Sequence, residues 1–180
     1  MANSITDPPF ASDPPVKLNV DAKVLGLVLG IIAVVLAVID LIGMLGAFTL
    51  CGGFVRGCGF PILWVLGSIV VLVADVMVAV GGFRMYQGDR SGKNLVIYGI
   101  VVAVIAQVVN LIGTIIAYSG LAGLGLGIGA GAIIGFIFWL VIRFIVYYLV
   151  VISRFPGEAP LVSSPGGYGA PPPPPPPPPM

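Results

Sequence analysis

The fold is decided by an unbroken apolar stretch near the start of the chain, VLGLVLGIIAVVLAVIDLIGMLGAFTL (residues 24–50), whose one charged residue is Asp40. A helix needs about 20 apolar residues to cross a hydrocarbon core of about 30 Å, so this stretch is long enough to span a membrane. It is also far longer than the roughly 7 to 15 residues of a secretory signal core. We therefore interpret it as an uncleaved membrane anchor.

Three further apolar stretches follow the first one. The whole chain is 58% hydrophobic and 8% charged with a mean hydropathy of +1.14, whereas roughly a quarter of the residues of a soluble domain are charged. The sequence therefore predicts an all-α integral membrane bundle over residues 24–153. Its four transmembrane helices are expected at about residues 24–50, 60–83, 95–121 and 128–152.

The two ends of the chain have a different composition from the middle. Residues 1–23 are polar and interrupted by prolines, which predicts a disordered tail. Residues 154–180 are rich in Pro and Gly and end with consecutive prolines from Pro171 to Pro179. Such a run favours an extended polyproline II helix.

The distribution of Lys and Arg predicts the orientation, because cytosolic flanks retain positive charge. Arg56 alone lies between the first and second spans. The other flanking basic residues fall on the opposite side and are Lys17, Lys23, Arg84, Arg90, Lys93 and Arg154. We therefore expect both termini to be cytosolic, in either the plasma membrane or an endolysosomal membrane.

Two cysteines lie in the short connection that this topology places outside the cytosol. Cys51 and Cys58 flank a glycine-rich turn, and thiols on that side meet an oxidising compartment. We favour a disulfide, which would stabilise the fold by roughly 2 to 3 kcal/mol. The alternative is that both cysteines serve as small apolar residues at the membrane surface.

Five polar residues interrupt the apolar spans. An ionisable side chain in hydrocarbon costs about 2.5 to 3.5 kcal/mol, so these residues are expected to face the interior of the bundle. Asp75 and Arg143 lie at similar depths, which predicts a buried ion pair between the second and fourth helices. The five residues are Asp40, Asp75, Gln107, Asn110 and Arg143.

Two of these polar residues begin matching four-residue motifs. Asp40-Leu-Ile-Gly43 and Asn110-Leu-Ile-Gly113 are separated by 70 positions. The match is consistent with two repeated helical hairpins related by an axis along the membrane normal. Chance matching among apolar residues is the alternative, so the repeat is a hypothesis.

Glycines at intervals of four mark the start of the fourth span. Gly127, Gly131 and Gly135 would form a smooth groove for close helix packing. The alternative is that the chain up to Gly129 is a flexible apolar loop.

Several functional classes are disfavoured by what the sequence lacks. Histidine is absent, which removes the commonest general base and metal ligand. Eight basic residues against seven acidic ones create no basic field for nucleic acid. We expect no catalytic residues, no metal site, no cofactor and no nucleic-acid partner.

A family resemblance rests on architecture and two local phrases, RMYQGDRSGK (residues 84–93) and WLVIRFIVYY (residues 139–148). The chain resembles eukaryotic four-span (tetraspan) membrane proteins of the LAPTM and MARVEL types. The resemblance implies the same four-span architecture and a cytosolic partner, but no particular activity. The Pro-Pro-x-Tyr words of LAPTM tails do not occur here, because Tyr168 is followed rather than preceded by prolines.

Two functions remain in contention at this point. The first is a non-enzymatic organiser, scaffold or trafficking adaptor that forms homo- or hetero-oligomers in the membrane. Its tail would recruit a cytosolic Pro-binding domain of the profilin-like kind, or would alternatively be a spacer. The alternative function is a small transporter or channel that uses the intramembrane polar residues. The prolines expected to contact the partner are Pro171, Pro173, Pro175, Pro177 and Pro179.

Overall fold

Four long helices account for most of the chain. The computed structural model describes residues 5–6, 8, 14–16, 18–53, 62–118 and 125–158. Over these residues the protein is all-helical, and the only strand-like feature is an isolated bridge between Asp21 and Arg154. The helices are α1 (Ala22–Gly53), α2 (Ile62–Tyr86), α3 (Ser91–Tyr118) and α4 (Gly125–Ile152).

Each helix contains a segment that is long and apolar enough to cross a membrane. This confirms the prediction of an all-α fold with four candidate membrane-spanning helices and indicates an integral membrane protein. The segments are Ala22–Gly46, Leu63–Tyr86, Ser91–Ile116 and Ala130–Ile152.

The helix ends differ by a few residues from the predicted spans because polar residues form caps. The Asp21 carboxylate accepts hydrogen bonds from the backbone N–H groups of Lys23 and Val24 at 2.7 and 3.4 Å, so α1 begins before its apolar stretch. In the same way, Asp89 accepts from the Ser91 N–H at 2.8 Å and starts α3. Gly88, with φ of +88°, reverses the chain after α2.

The helices pack in chain order, and glycines set the closest approach. A Cβ atom at Gly82 of α2 would lie 2.6 Å from the carbonyl oxygen of Gly26 in α1. One at Gly92 of α3 would lie 2.5 Å from the carbonyl oxygen of Gly81 in α2. The most extensive contact is between α2 and α3, while α4 packs chiefly on α3.

The four helices converge at the end that carries the α2–α3 connection, which we call the closed end. Backbone hydrogen bonds run from the Ala22 N–H to the Arg154 carbonyl at 2.8 Å and from the Arg154 N–H to the Val20 carbonyl at 2.9 Å. Both chain ends therefore leave the helices on this face. An apolar cluster fills the closed end and contains Ala22, Leu29, Met85, Val96, Ile97, Ile100, Val150, Val151 and Phe155.

The opposite part of the molecule is more open. Among the described residues, nothing lies within 4 Å of a Cβ atom placed at Gly43, Gly46 or Gly131. Ile42 and Ile134 are 63% and 68% exposed. The second half of α1 and the first half of α4 therefore diverge from their neighbours.

Two described residues of the N-terminal segment contact α4. The Tyr148 hydroxyl donates to the Val16 carbonyl at 2.8 Å, and the Tyr147 hydroxyl donates to the Ile5 carbonyl at 2.8 Å. The disorder of residues 1–23 as a whole stays a prediction. Residues 159–180, including the proline run, lie outside the described residues.

A polar cavity between the four helices

A cavity of about 420 Å³ lies between the helices, and all four of them contribute to its walls. The five polar residues predicted from the sequence all line it, so the fold brings them to one place. Three further residues that were not among those predicted also line the cavity: Trp64, Ser68 and Trp139. The spacing of Trp64, Ser68 and Asp75 on one face of α2 is the signal that could have identified them.

Two carboxyl groups meet in this cavity. Asp75 of α2 is only 7% exposed, and Asp40 of α1 lines the same cavity. The guanidinium of Arg143 on α4 attracts both carboxylates. Arg143 therefore has two acidic neighbours in the cavity, the predicted Asp75 and also Asp40, and a direct Asp75–Arg143 ion pair stays a prediction.

The amide residues of α3 complete the polar wall. Asn110 Nδ2 donates to Ser68 Oγ at 3.4 Å, and a Cβ atom at Gly67 would lie 3.0 Å from Asn110 Cβ. Close packing of α2 on α3 thus holds Asn110 at the cavity.

Two buried polar atoms at the cavity have no hydrogen-bond partner among the described residues. They are Gln107 Oε1 and Arg143 Nη1. Buried polar atoms are nearly always satisfied in folded proteins, by protein groups or by water. One water molecule needs roughly 15 Å³ of such space, so the cavity has room for several. The site is therefore suited to a hydrated or polar occupant.

The two matching motifs, which begin at Asp40 and Asn110, have different surroundings in the structure. Asp40, Gly43 and Asn110 line the cavity. A Cβ atom at Gly113 would lie 2.7 Å from the backbone nitrogen of Trp64, whereas nothing lies within 4 Å of one at Gly43. The repeat of two hairpins stays a hypothesis.

The predicted glycine groove on α4 is open at two of its three glycines as far as the described residues show. A Cβ atom at Gly131 or Gly135 would have nothing within 4 Å, and the surroundings of Gly127 lie outside the described side chains. Any close packing on this face therefore involves a molecule other than the described part of the chain.

Several predicted features fall outside the described residues. Cys51 lies in the last turn of α1 without a described side chain, and Cys58 lies in the segment between α1 and α2. The disulfide and the contacts of the proline run thus stay predictions. In the described part of the chain, no group of three or more His, Cys, Asp or Glu residues is placed to hold a metal ion.

Comparison with known proteins does not assign this chain to a family. Comparison of the chain with family models, with curated proteins and with solved structures gave no match. The resemblance to LAPTM-type and MARVEL-type proteins therefore remains a prediction from the sequence.

Proposed function

We propose that this protein is a non-enzymatic, multi-pass membrane protein that works as a small transporter or channel through its polar cavity. The observation that carries this proposal is the convergence of Asp40, Asp75, Gln107, Asn110 and Arg143 on one cavity. Ionisable residues inside membrane segments are expensive and mark ion or substrate paths. A cluster of polar and ionisable side chains between four apolar helices has the composition of a permeation or binding site.

The charge arrangement favours this function over a static bundle. A bundle that merely neutralises its buried groups needs one acid for Arg143, and Asp75 alone would serve. Asp40 adds a second carboxyl to the same cavity. The extra acidic group gives the cavity a capacity to bind a cation or proton that packing alone does not require.

The asymmetry of the molecule supports access from one side. The closed end is filled by an apolar cluster, while Gly43 at the cavity has open space around it. We propose that the helices form a membrane bundle with both termini in the cytosol, as the Lys and Arg distribution favours. The cavity would then be entered from the extracytosolic side.

Reconstitution tests the proposed flux. The full chain is incorporated into liposomes containing a pH-sensitive dye, and proton and potassium fluxes are followed after a pH or potassium gradient is imposed. The wild type should increase at least one flux several-fold over empty liposomes, and Asp40→Asn should return it to background. Asp21→Asn is the matched control, because it makes the same change at the N-terminal cap of α1, outside the cavity, and Asn also caps helices. Wild-type fluxes equal to those of empty liposomes would reject the transport function.

The second candidate is an organiser, scaffold or trafficking adaptor. The open glycine face of α4, with Ile134 and Phe138 68% and 60% exposed, favours it. Small residues allow close approach of another membrane helix, and the proline run would recruit a cytosolic Pro-binding domain. Proximity labelling from the C-terminus in cells, compared with a chain lacking Pro171–Pro179, tests this role. Identical labelling of both chains would remove partner recruitment from the proposal.

A further inference from the structure

We propose that Asp40 and Asp75 together bind one exchangeable proton in the cavity. This inference rests on the proposed function, since it names the ion that the polar cavity would handle. It assigns a binding site to two residues of different helices. Arg143 supplies the fixed countercharge.

The first argument is the placement of the two carboxyl groups. Asp75 is more than nine-tenths buried, and Asp40 of another helix lines the same cavity. Two carboxylates that share a buried site repel each other, so such pairs commonly hold a single proton between them. The shared cavity and the burial of Asp75 therefore point to a pair that holds one proton.

The second argument is the count of charged groups that face the pair. Asp40 is the titratable group from α1 and Asp75 the one from α2, while α4 contributes Arg143. The cavity residues of α3 are the neutral amides Gln107 and Asn110. With both acids ionised the group carries one excess negative charge, and with one shared proton it is neutral. A neutral group is favoured in a medium of low dielectric.

The third argument is that the proton has a route to the pair. Asp40 lines the cavity and is exposed, whereas Asp75 is buried. The unpartnered Gln107 Oε1 and Arg143 Nη1 offer one acceptor and one donor for water in the same space. A proton released by the pair passes to water at Asp40, and both carboxylates are then left ionised beside Arg143.

Infrared spectroscopy of the full chain in lipid nanodiscs tests the site directly. A protonated carboxyl has a C=O stretch that is separate from the carboxylate bands. The wild type should show one such band that disappears on alkaline titration. The band should be lost in both Asp40→Asn and Asp75→Asn, because the remaining acid then has Arg143 as a one-to-one partner. Asp21→Asn should retain the band in full.

Conservative variants keep the test decisive if an Asn variant does not fold. Asp40→Glu and Asp75→Glu preserve the carboxyl pair, so each should retain a band at a shifted frequency. The proposal would be overturned if the wild type lacked the band or if the band survived both Asn variants. It would also be overturned if carboxylate signals that depend on sodium appeared in place of the band. A band without liposome flux supports the proton site and rejects transport. Flux without a band supports transport and rejects the shared proton.

Discussion

Lys93, in the first turn of α3, caps the end of α4 through its side chain. Its Nζ atom donates to the Val151 carbonyl at 2.7 Å and to the Ser153 carbonyl at 3.2 Å. The last carbonyl groups of a helix have no partner within the helix, and a cation there also interacts favourably with the helix dipole. The Lys93 side chain thereby links the start of α3 to the end of α4 at the closed end.

Replacing Lys93 should destabilise the closed end. Lys93→Met keeps the apolar stem and removes two charge-assisted hydrogen bonds in a partly buried setting, so we expect a loss of about 1 to 3 kcal/mol. Arg90→Met is the control, because the Arg90–Glu158 ion pair at 3.1 Å has an Arg side chain that is 75% exposed. Exposed pairs contribute about 0 to 1 kcal/mol. Unfolding of both variants in mixed micelles gives the comparison, and equal losses would contradict the capping role.

The α1–α2 contact should not tolerate a side chain at Gly82. In Gly82→Ala the new Cβ would lie 2.6 Å from the Gly26 carbonyl oxygen and 2.7 Å from the Gly30 nitrogen. Because both are backbone atoms of α1, the helices must move apart, and overpacking of this kind costs about 1 to 3 kcal/mol. Gly135→Ala is the matched control, since its Cβ would meet nothing within 4 Å. Micelle unfolding midpoints that fall equally for both variants would show that the contact is not as close as described.

The four spans and the residues of the cavity could be predicted from the sequence for one physical reason. Hydrocarbon cannot solvate polar side chains, so apolar stretches of sufficient length become spans and their few polar residues gather inside. Asp40, Gln107 and Asn110 were assigned to the interior on this basis, and the structure places them at one cavity.

The position of Asp40 beside Asp75 and Arg143 in one cavity could not be predicted in the same way. Counting residues from a helix end gives depth only for upright helices, and it indicated a similar depth for Asp75 and Arg143 alone. The close approach of α1 to α2 occurs where Gly26 meets Gly82, and Asp40 and Asp75 of these two helices line the same cavity. Such contacts depend on three-dimensional packing between helices and have no signature in the periodicity of either one.

The N-terminal cap of α3 should depend on pH. Hydrogen bonds from the Ser91 hydroxyl and then from its N–H hold the pKa of the Asp89 carboxyl below its usual range. Because the pKa is lower in the folded state, ionised Asp89 favours the folded cap above the ordinary Asp pKa of about 3.9. That contribution is lost as the pH falls through the lower folded-state pKa.

Ser91→Ala should raise the pKa of Asp89 towards the usual value. The backbone N–H of residue 91 still donates, so part of the shift should remain. An NMR titration of the Asp89 carboxyl carbon in both proteins measures the difference, with Thr114→Ala as a control distant from the cap. An unchanged Asp89 pKa in Ser91→Ala would show that the hydroxyl does not act on the carboxylate.

The charged residues of the cavity should behave as a coupled set. Arg143→Gln leaves Asp40 and Asp75 without a countercharge and should lower the yield of folded protein strongly, since breaking a buried ionic group costs about 3 to 5 kcal/mol. Adding Asp75→Asn to Arg143→Gln should recover part of that yield. Size-exclusion chromatography of the single and double variants measures the folded fraction, and strictly additive losses would show that the residues do not interact.

The proline run should bind a partner without contributing to the stability of the helices. Residues 159–180 have no apolar periodicity that could pack on a helix, so their removal should leave the micelle unfolding midpoint unchanged. A polyproline II helix is already ordered before binding and loses little entropy when it docks on an aromatic groove. A peptide covering Gly166–Met180 should therefore bind a profilin-like reader of proline runs.

Interrupting the run distinguishes a recruitment segment from a spacer. Replacing Pro173, Pro175 and Pro177 with Gly keeps the length of the peptide and loosens its preformed helix, because Gly populates many more backbone conformations. Binding of this variant to purified profilin should fall at least tenfold relative to the native peptide, which corresponds to about 1.4 kcal/mol. Isothermal titration calorimetry measures both affinities. Equal affinities, or no binding by the native peptide, would assign the proline run to a spacer, since a spacer depends on length and not on the polyproline conformation.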